Sequence, residues 1–207
     1  MKNLPEKTIE RLSEYRRTLL NLLTKGKTYI YSHELANLHN ITAVQVRRDI
    51  MLIGYSSVVK KGYEIKELIS VIGNIIDTKE GINVAVVGIG NLGRAITSYF
   101  SGKRPKLNIV AAFDIDAQKV NKVISGTYCY NLDELDNVIK EKNISIGVIT
   151  VPVEQANNVA NKLVSAGIKG ILNFTSVLLS VPSHVYLEEY DMITSLEKVA
   201  YFVKSNK

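Results

Sequence analysis

Residues 84–94 read VAVVGIGNLGR, and no other stretch restricts the fold of this chain as strongly. Four apolar, β-favouring residues run straight into Gly88, Gly90 and Gly93, spaced Gly-x-Gly-x-x-Gly, and a helix-compatible run, RAITSYF, follows. The pattern predicts a strand, a tight turn and a helix N-terminus. Such a turn lets backbone N–H groups approach a pyrophosphate, and the helix dipole favours its charge. Gly88, Ile89, Gly90, Asn91, Leu92 and Gly93 are therefore candidates for cofactor contact. Three glycines at this spacing also suit a purely structural turn, so the context matters.

That context is present. A second apolar run, residues 109–113, ends at Asp114, 24 residues beyond Gly90 and close to the expected distance of about 20. A carboxylate there accepts hydrogen bonds from ribose hydroxyls and repels a 2′-phosphate, which favours NAD(H) over NADP(H). Asp116 can share the role. Downstream, a helix over 132–143, a strand over 146–151, a helix over 153–166, a strand over 169–174 and a short strand over 185–187 are expected. Strands alternating with helices predict an α/β fold with a Rossmann-like, doubly wound parallel sheet. Ligands of such sheets bind outside the carboxyl ends of the strands, which adds Val151, Pro152 and Phe174 to the candidates. Phe174 suits a nicotinamide neighbour and suits a core aromatic equally.

The N-terminal part reads differently. Residues 4–25 predict a helix, with Pro5 and Glu6 at its start and Gly26 as its stop. A second helix over 32–40, capped by Ser32, and a third over 42–54, capped by Thr42, are joined by a short turn at Asn40-Ile41. Two short helices so joined form a helix-turn-helix, whose second helix enters the major groove. With Val44, Val46, Ile50 and Ile53 facing the core, Gln45, Arg47, Arg48 and Asp49 remain outside. Residues 58–64 then read as a basic β-ribbon, or wing. The DNA-contact candidates are Thr42, Gln45, Arg47, Arg48, Lys60, Lys61 and Tyr63. A solvated αα-hairpin would use the same arginines for solubility alone. The charge balance favours an anionic partner: the net charge of +6 divides into +4 for residues 1–80 and +2 for the rest. A linking helix over 65–76 and a polar break at 77–81 place a domain boundary near residue 80.

Other classes are disfavoured. No apolar run approaches the ~20 residues that span a bilayer, and the start has no signal-peptide character. Cys129 is the only cysteine; it reads as a packed thiol and suits a reducing cytoplasm. No metal-ligand cluster stands out. His33 and His39 belong to the expected DNA-binding module, His184 has no evident acid–base partner, and only one amphipathic helix, over 192–204, follows the nucleotide fold. A substrate domain is therefore not expected, and the cofactor reads better as a signal than as a reagent.

Taken together, PEKTIERLSEY, TAVQVRRDI, VGIGNLGRA, AAFDID, TVPVEQA and AGIKGILNF resemble the Rex family of redox-sensing transcriptional repressors over nearly the whole chain. The resemblance implies a cytoplasmic homodimer that binds double-stranded operator DNA, releases it when NADH binds, and lets NAD⁺ compete. It implies a winged helix-turn-helix domain over 1–80, an NAD(H)-binding domain over 81–190 and a C-terminal helix over 191–207 exchanged between subunits. Arg17, Tyr99 and Asp191 become switch candidates. Two departures from the family pattern stand out: Ser57 and Lys60 replace expected wing glycines, and Ser176 replaces a proline after residues 173–175. A DNA-binding regulator with an altered or lost NADH response, and a small NAD-dependent oxidoreductase, are the competing readings.

Overall fold

The structure, a computed structural model, describes residues 4–56, 62–100 and 106–205. The contacts divide the chain into two compact units, Met1–Thr78 and Lys79–Lys207. Ser57, Lys60 and Lys61 of the expected wing lie outside the described residues.

The first unit contains α1 (Glu6–Thr24), β1 (Tyr29–Ile30), α2 (Ser32–Leu38), α3 (Ala43–Leu52), β2 (Tyr63–Glu64) and α4 (Ile65–Ile76). Leu12, Tyr15 and Leu19 of α1 meet Leu35, Val46, Ile50, Ile65, Leu68 and Ile72 in one buried core. Several sequence expectations change here. Ser32 is the first residue of α2 rather than its cap; the Glu34 carboxylate instead accepts the Tyr31 N–H at 2.8 Å. Val44, assigned to the core, is exposed. Asp49, assigned to the outside, is completely buried. Tyr63 is also buried, its ring 6.0 Å from that of Tyr55, so it belongs to the core and not to a DNA-facing tip. The strand it sits on pairs antiparallel with β1, a partner that the pattern did not reveal.

The second unit is built on a seven-stranded sheet ordered β5-β6-β4-β3-β7-β8-β9. Its elements are β3 (Ile82–Val87), α5 (Asn91–Phe100), β4 (Leu107–Asp114), β5 (Lys122–Ile124), β6 (Thr127–Asn131), a 3₁₀ turn (Leu132–Glu134), α6 (Leu135–Glu141), β7 (Ile144–Ile149), α7 (Val153–Ser165), β8 (Gly170–Asn173), β9 (Tyr186–Glu189) and α8 (Met192–Ser205). All pairs are parallel except β5–β6. Without β5, the order is that of the dinucleotide-binding fold, whose strand order reverses beside β3. The alternation in β3 explains the two layers. Ala85 and Val87 face α6 and α7, while Val84 and Val86 face α5.

The β5–β6 hairpin was not anticipated from sequence. Its two-residue turn is Ser125-Gly126, with φ of 51° and 80°, the pair of positive values that a type I′ turn demands. α8 follows Asp191, whose carboxylate accepts the Ile193 and Thr194 N–H groups at 2.9 and 3.3 Å. Every side chain of residues 192–204 is exposed, including Ile193, Leu196 and Val199.

Candidate functional site

Where the strand order reverses, a cavity of about 510 Å³ opens at the carboxyl ends of β3, β4 and β7. Its volume lies within the usual range of small-ligand pockets, roughly 300–1,000 Å³. The three glycines of the turn serve three different ends. Gly88 has φ of 94°, and a side chain there would strike the Thr150 carbonyl. Gly93 lies so close to the Gly88 carbonyl that a Cβ could not be placed, which seats α5 against the turn. Gly90 faces open space with nothing within 4 Å of a Cβ position, so this stretch of backbone is free to receive a ligand. Thr150 locks the turn from the neighbouring strand by donating to the Gly88 carbonyl at 2.7 Å.

Asp114 closes the rim. One carboxylate oxygen accepts the Ile89 N–H at 2.9 Å and the Lys119 ammonium at 3.0 Å. The other accepts the Ile115 and Asp116 N–H groups at 2.8 and 3.0 Å. Burial pushes this carboxyl up, but the Asp116 N–H and the Lys119 ammonium outweigh it and hold it below the usual carboxylate range. Lys119, which also lies 3.5 Å from Asp116, is held above the ordinary lysine value chiefly by its hydrogen bond to Asp114. All four lone-pair positions of Asp114 are thus taken, three of them by backbone donors. Lys119 is the one mobile partner that an incoming hydroxyl can replace.

Of the sequence candidates, Gly88, Gly90, Asn91, Leu92, Asp114, Asp116, Val151 and Pro152 line this cavity. Ile89 is buried in the core behind it, and Gly93 supports the turn from beneath. Phe174 is not among the lining residues; its ring packs 5.3 Å from that of Tyr190. Lys119, Thr150 and Gln155 also line the cavity and were not among the candidates. The spacing Asp114-x-Asp116-x-x-Lys119 was the available signal for the lysine.

In the first unit, the Thr42 hydroxyl accepts the Gln45 N–H at 3.2 Å and caps α3. Arg47 and Arg48 both project outward. Arg47 is drawn toward α2, donating to the Ser32 hydroxyl at 3.1 Å. Gln45 is turned inward and donates to Asp49 at 2.9 Å. Arg17 is exposed on α1, Tyr99 is exposed on α5, and Asp191 stands at the start of α8. Arg16, beside Arg17, is buried and pairs with Asp77 at 2.7 Å. No group of three or more His, Cys, Asp or Glu among the described residues could hold a metal ion. No described helix is long and apolar enough to cross a membrane.

Comparison with known proteins adds independent findings. Residues 79–177 match the family described as "CoA binding domain", and residues 3–50 match the one described as "Putative DNA-binding protein N-terminus". The chain is 38% identical over 201 residues to the redox-sensing transcriptional repressor Rex of Carboxydothermus hydrogenoformans, covering 97% of each chain. It is 40% identical over 199 residues to that of Syntrophobacter fumaroxidans, covering 96% of this chain and 95% of the relative. Among solved structures, RSP, a Rex-family repressor, superposes with a TM-score of 0.89 at 31% identity, over 100% of this chain and 97% of the other. RSP in complex with NAD⁺ and operator DNA gives a TM-score of 0.90 at 31% identity, over 100% and 95% of the two chains. RSP in complex with NADH gives 0.87 at 30% identity, over 100% and 97%.

Proposed function

The chain belongs to the Rex family of redox-sensing transcriptional repressors, and from that premise we propose how its own residues divide the work. The protein is a DNA-binding repressor that senses NADH, and a regulator rather than an enzyme. NADH and NAD⁺ occupy the cavity of the second unit. The turn around Gly90 receives the pyrophosphate on backbone N–H groups. Asp114 accepts the adenosine ribose hydroxyls, exchanging its bond from Lys119 for one of theirs. Two carboxylates at this rim disfavour a phosphate on that ribose. This separates NAD(H) from NADP(H), and from coenzyme A, which carries a 3′-phosphate.

The redox signal is a difference of charge. The oxidised nicotinamide is a cation and loses more hydration on entering an apolar site than the neutral reduced ring does. A ligand shifts an equilibrium only by its differential affinity for two states. NADH binds the state that releases DNA more tightly than the state that holds it, and NAD⁺ competes without that preference. Arg17, Tyr99 and Asp191 are the residues through which the states are distinguished.

The protein acts as a cytoplasmic homodimer. Support comes from α8, which carries Ile193, Leu196 and Val199 at helical spacing, all three exposed and uncovered among the described residues. A two-fold dimer also presents two copies of α3 to successive major grooves. Arg47 and Arg48 contact operator DNA, and Lys60 and Lys61 follow along the phosphates.

The observation that carries this reading is the pairing, in one chain matched end to end by repressors, of a capped helix bearing outward arginines with a dinucleotide cavity. The test is operator binding titrated separately with NADH and NAD⁺. Release by NADH, reversed by excess NAD⁺, is expected. Binding indifferent to NADH would overturn the sensor reading.

A further inference from the structure

α3 exposes apolar side chains beside its arginines. Val44, Arg47, Arg48 and Met51 recur at i, i+3, i+4 and i+7 and so form one stripe along the helix. Val44 is 49% exposed and Met51 is 70% exposed, while Val46, Asp49 and Ile50 on the opposite side are buried. The phase of the helix is thus set by its buried side, and it turns Val44 out to the same face as both arginines. The Thr42 cap places Val44 in the first turn. That N-terminal end is the part of a recognition helix that meets base edges.

An apolar side chain on this face has one complementary group in the major groove, the 5-methyl of thymine. We infer that Val44 is a specificity-determining residue that packs on a thymine methyl beside a guanine read by Arg48. The inference rests on the reading of the chain as a DNA-binding repressor. Val44 and Arg48 are one turn apart, about 6 Å along the axis. At 3.4 Å per base step along one strand, this sets the thymine within about two base pairs of the guanine. Among the described residues, none forms a hydrogen bond or ion pair with Arg48, so it is free to reach; Arg47 is held toward Ser32.

The test uses the full chain with NAD⁺ and duplexes selected from a random-sequence DNA library. Each thymine of the selected half-site is then replaced singly by deoxyuridine, which removes only the methyl. At one thymine within two base pairs of a selected guanine, affinity should fall about fourfold, the worth of one buried methyl. Val44→Ser, which puts a polar group of smaller size on this face, should bind the thymine and uracil duplexes equally, and its helix content, read by circular dichroism, should match the parent. Val44→Ser that prefers thymine there as strongly as the parent, or a parent chain insensitive to every replacement, would overturn the inference. Failure to recover any duplex at low salt would overturn the repressor reading itself, and the role of Val44 with it.

Discussion

Replacing Asp49 by alanine should unseat α3. The Asp49 carboxylate is fully buried on α3. It accepts both the Nε–H and an Nη2–H of Arg11 at 2.7 Å, the Tyr15 hydroxyl at 2.9 Å and the Gln45 amide at 2.9 Å. Burial pushes its carboxyl up, but the hydrogen bonds of Arg11, Tyr15 and Gln45 outweigh it and leave it below the usual range. Removing one partner of a fully buried pair costs about 3–5 kcal/mol. The Arg11 side chain is 22% exposed and can regain some water, so the lower part of that range applies. Tyr15, buried with its hydroxyl unpaired, adds roughly 1–3 kcal/mol. The two losses share one carboxylate and are not additive, so about 4 kcal/mol is expected, against a typical domain stability of about 5–15 kcal/mol. Urea unfolding followed by circular dichroism should show the transition of the first unit about 2 M lower, for a slope of about 2 kcal/mol/M. A midpoint within about 0.3 M of the parent would show that the Asp49 network does not carry this stability. Asp49→Asn keeps the shape and loses the charge, and should fall between. The pH dependence has a definite sign. A carboxyl lowered in the folded state binds protons more readily in the unfolded one, so its stabilisation is complete above the unfolded value near 4. It is lost as pH falls through the lower folded value, and Asp49→Asn should flatten that acid limb.

Gly90→Ala and Gly93→Ala should separate ligand contact from folding. The first has room in the chain itself and should leave the thermal midpoint unchanged while NADH affinity, read by calorimetric titration, drops at least about tenfold. The second collides with the Gly88 carbonyl and should lower both. Arg48→Ala should weaken operator binding by about 1–3 kcal/mol and relax preference at one base position, with NADH affinity intact. If its loss is uniform across sequences and the salt slope drops by about one, it contacts phosphate instead. Asp114→Ala should weaken NADH binding and narrow the preference for NADH over NADPH; an unchanged ratio would remove Asp114 from the ribose site.

The turn of residues 88–93 and the acidic strand end at Asp114 were legible because each element depends on its own few residues. A glycine spacing constrains backbone geometry wherever it stands, and a strand followed by a helix defines the strand's carboxyl end. The cap at Thr42 was legible for the same reason. The face of α3 was not. Val44 and Asp49 exchanged places because a hydrophobic pattern assumes that charge stays outside. Here Arg11 and Tyr15, over thirty positions earlier, make burial of the carboxylate favourable. Tyr63 was drawn to the surface by its basic neighbours in sequence, whereas its core position follows from pairing with β1.

Local spacing and composition were thus enough to define the fold class, the glycine turn before α5 and the capped start of α3. Which residues complete the cavity and the exposed face of α3 emerged only when the chain was folded. Folding moved Lys119 and Thr150 to the cavity, kept Phe174 against Tyr190, and turned Val44 outward. The physical reason is range. A turn or cap is satisfied within a few residues, whereas a buried charge or a cavity wall depends on partners that only the folded chain brings near.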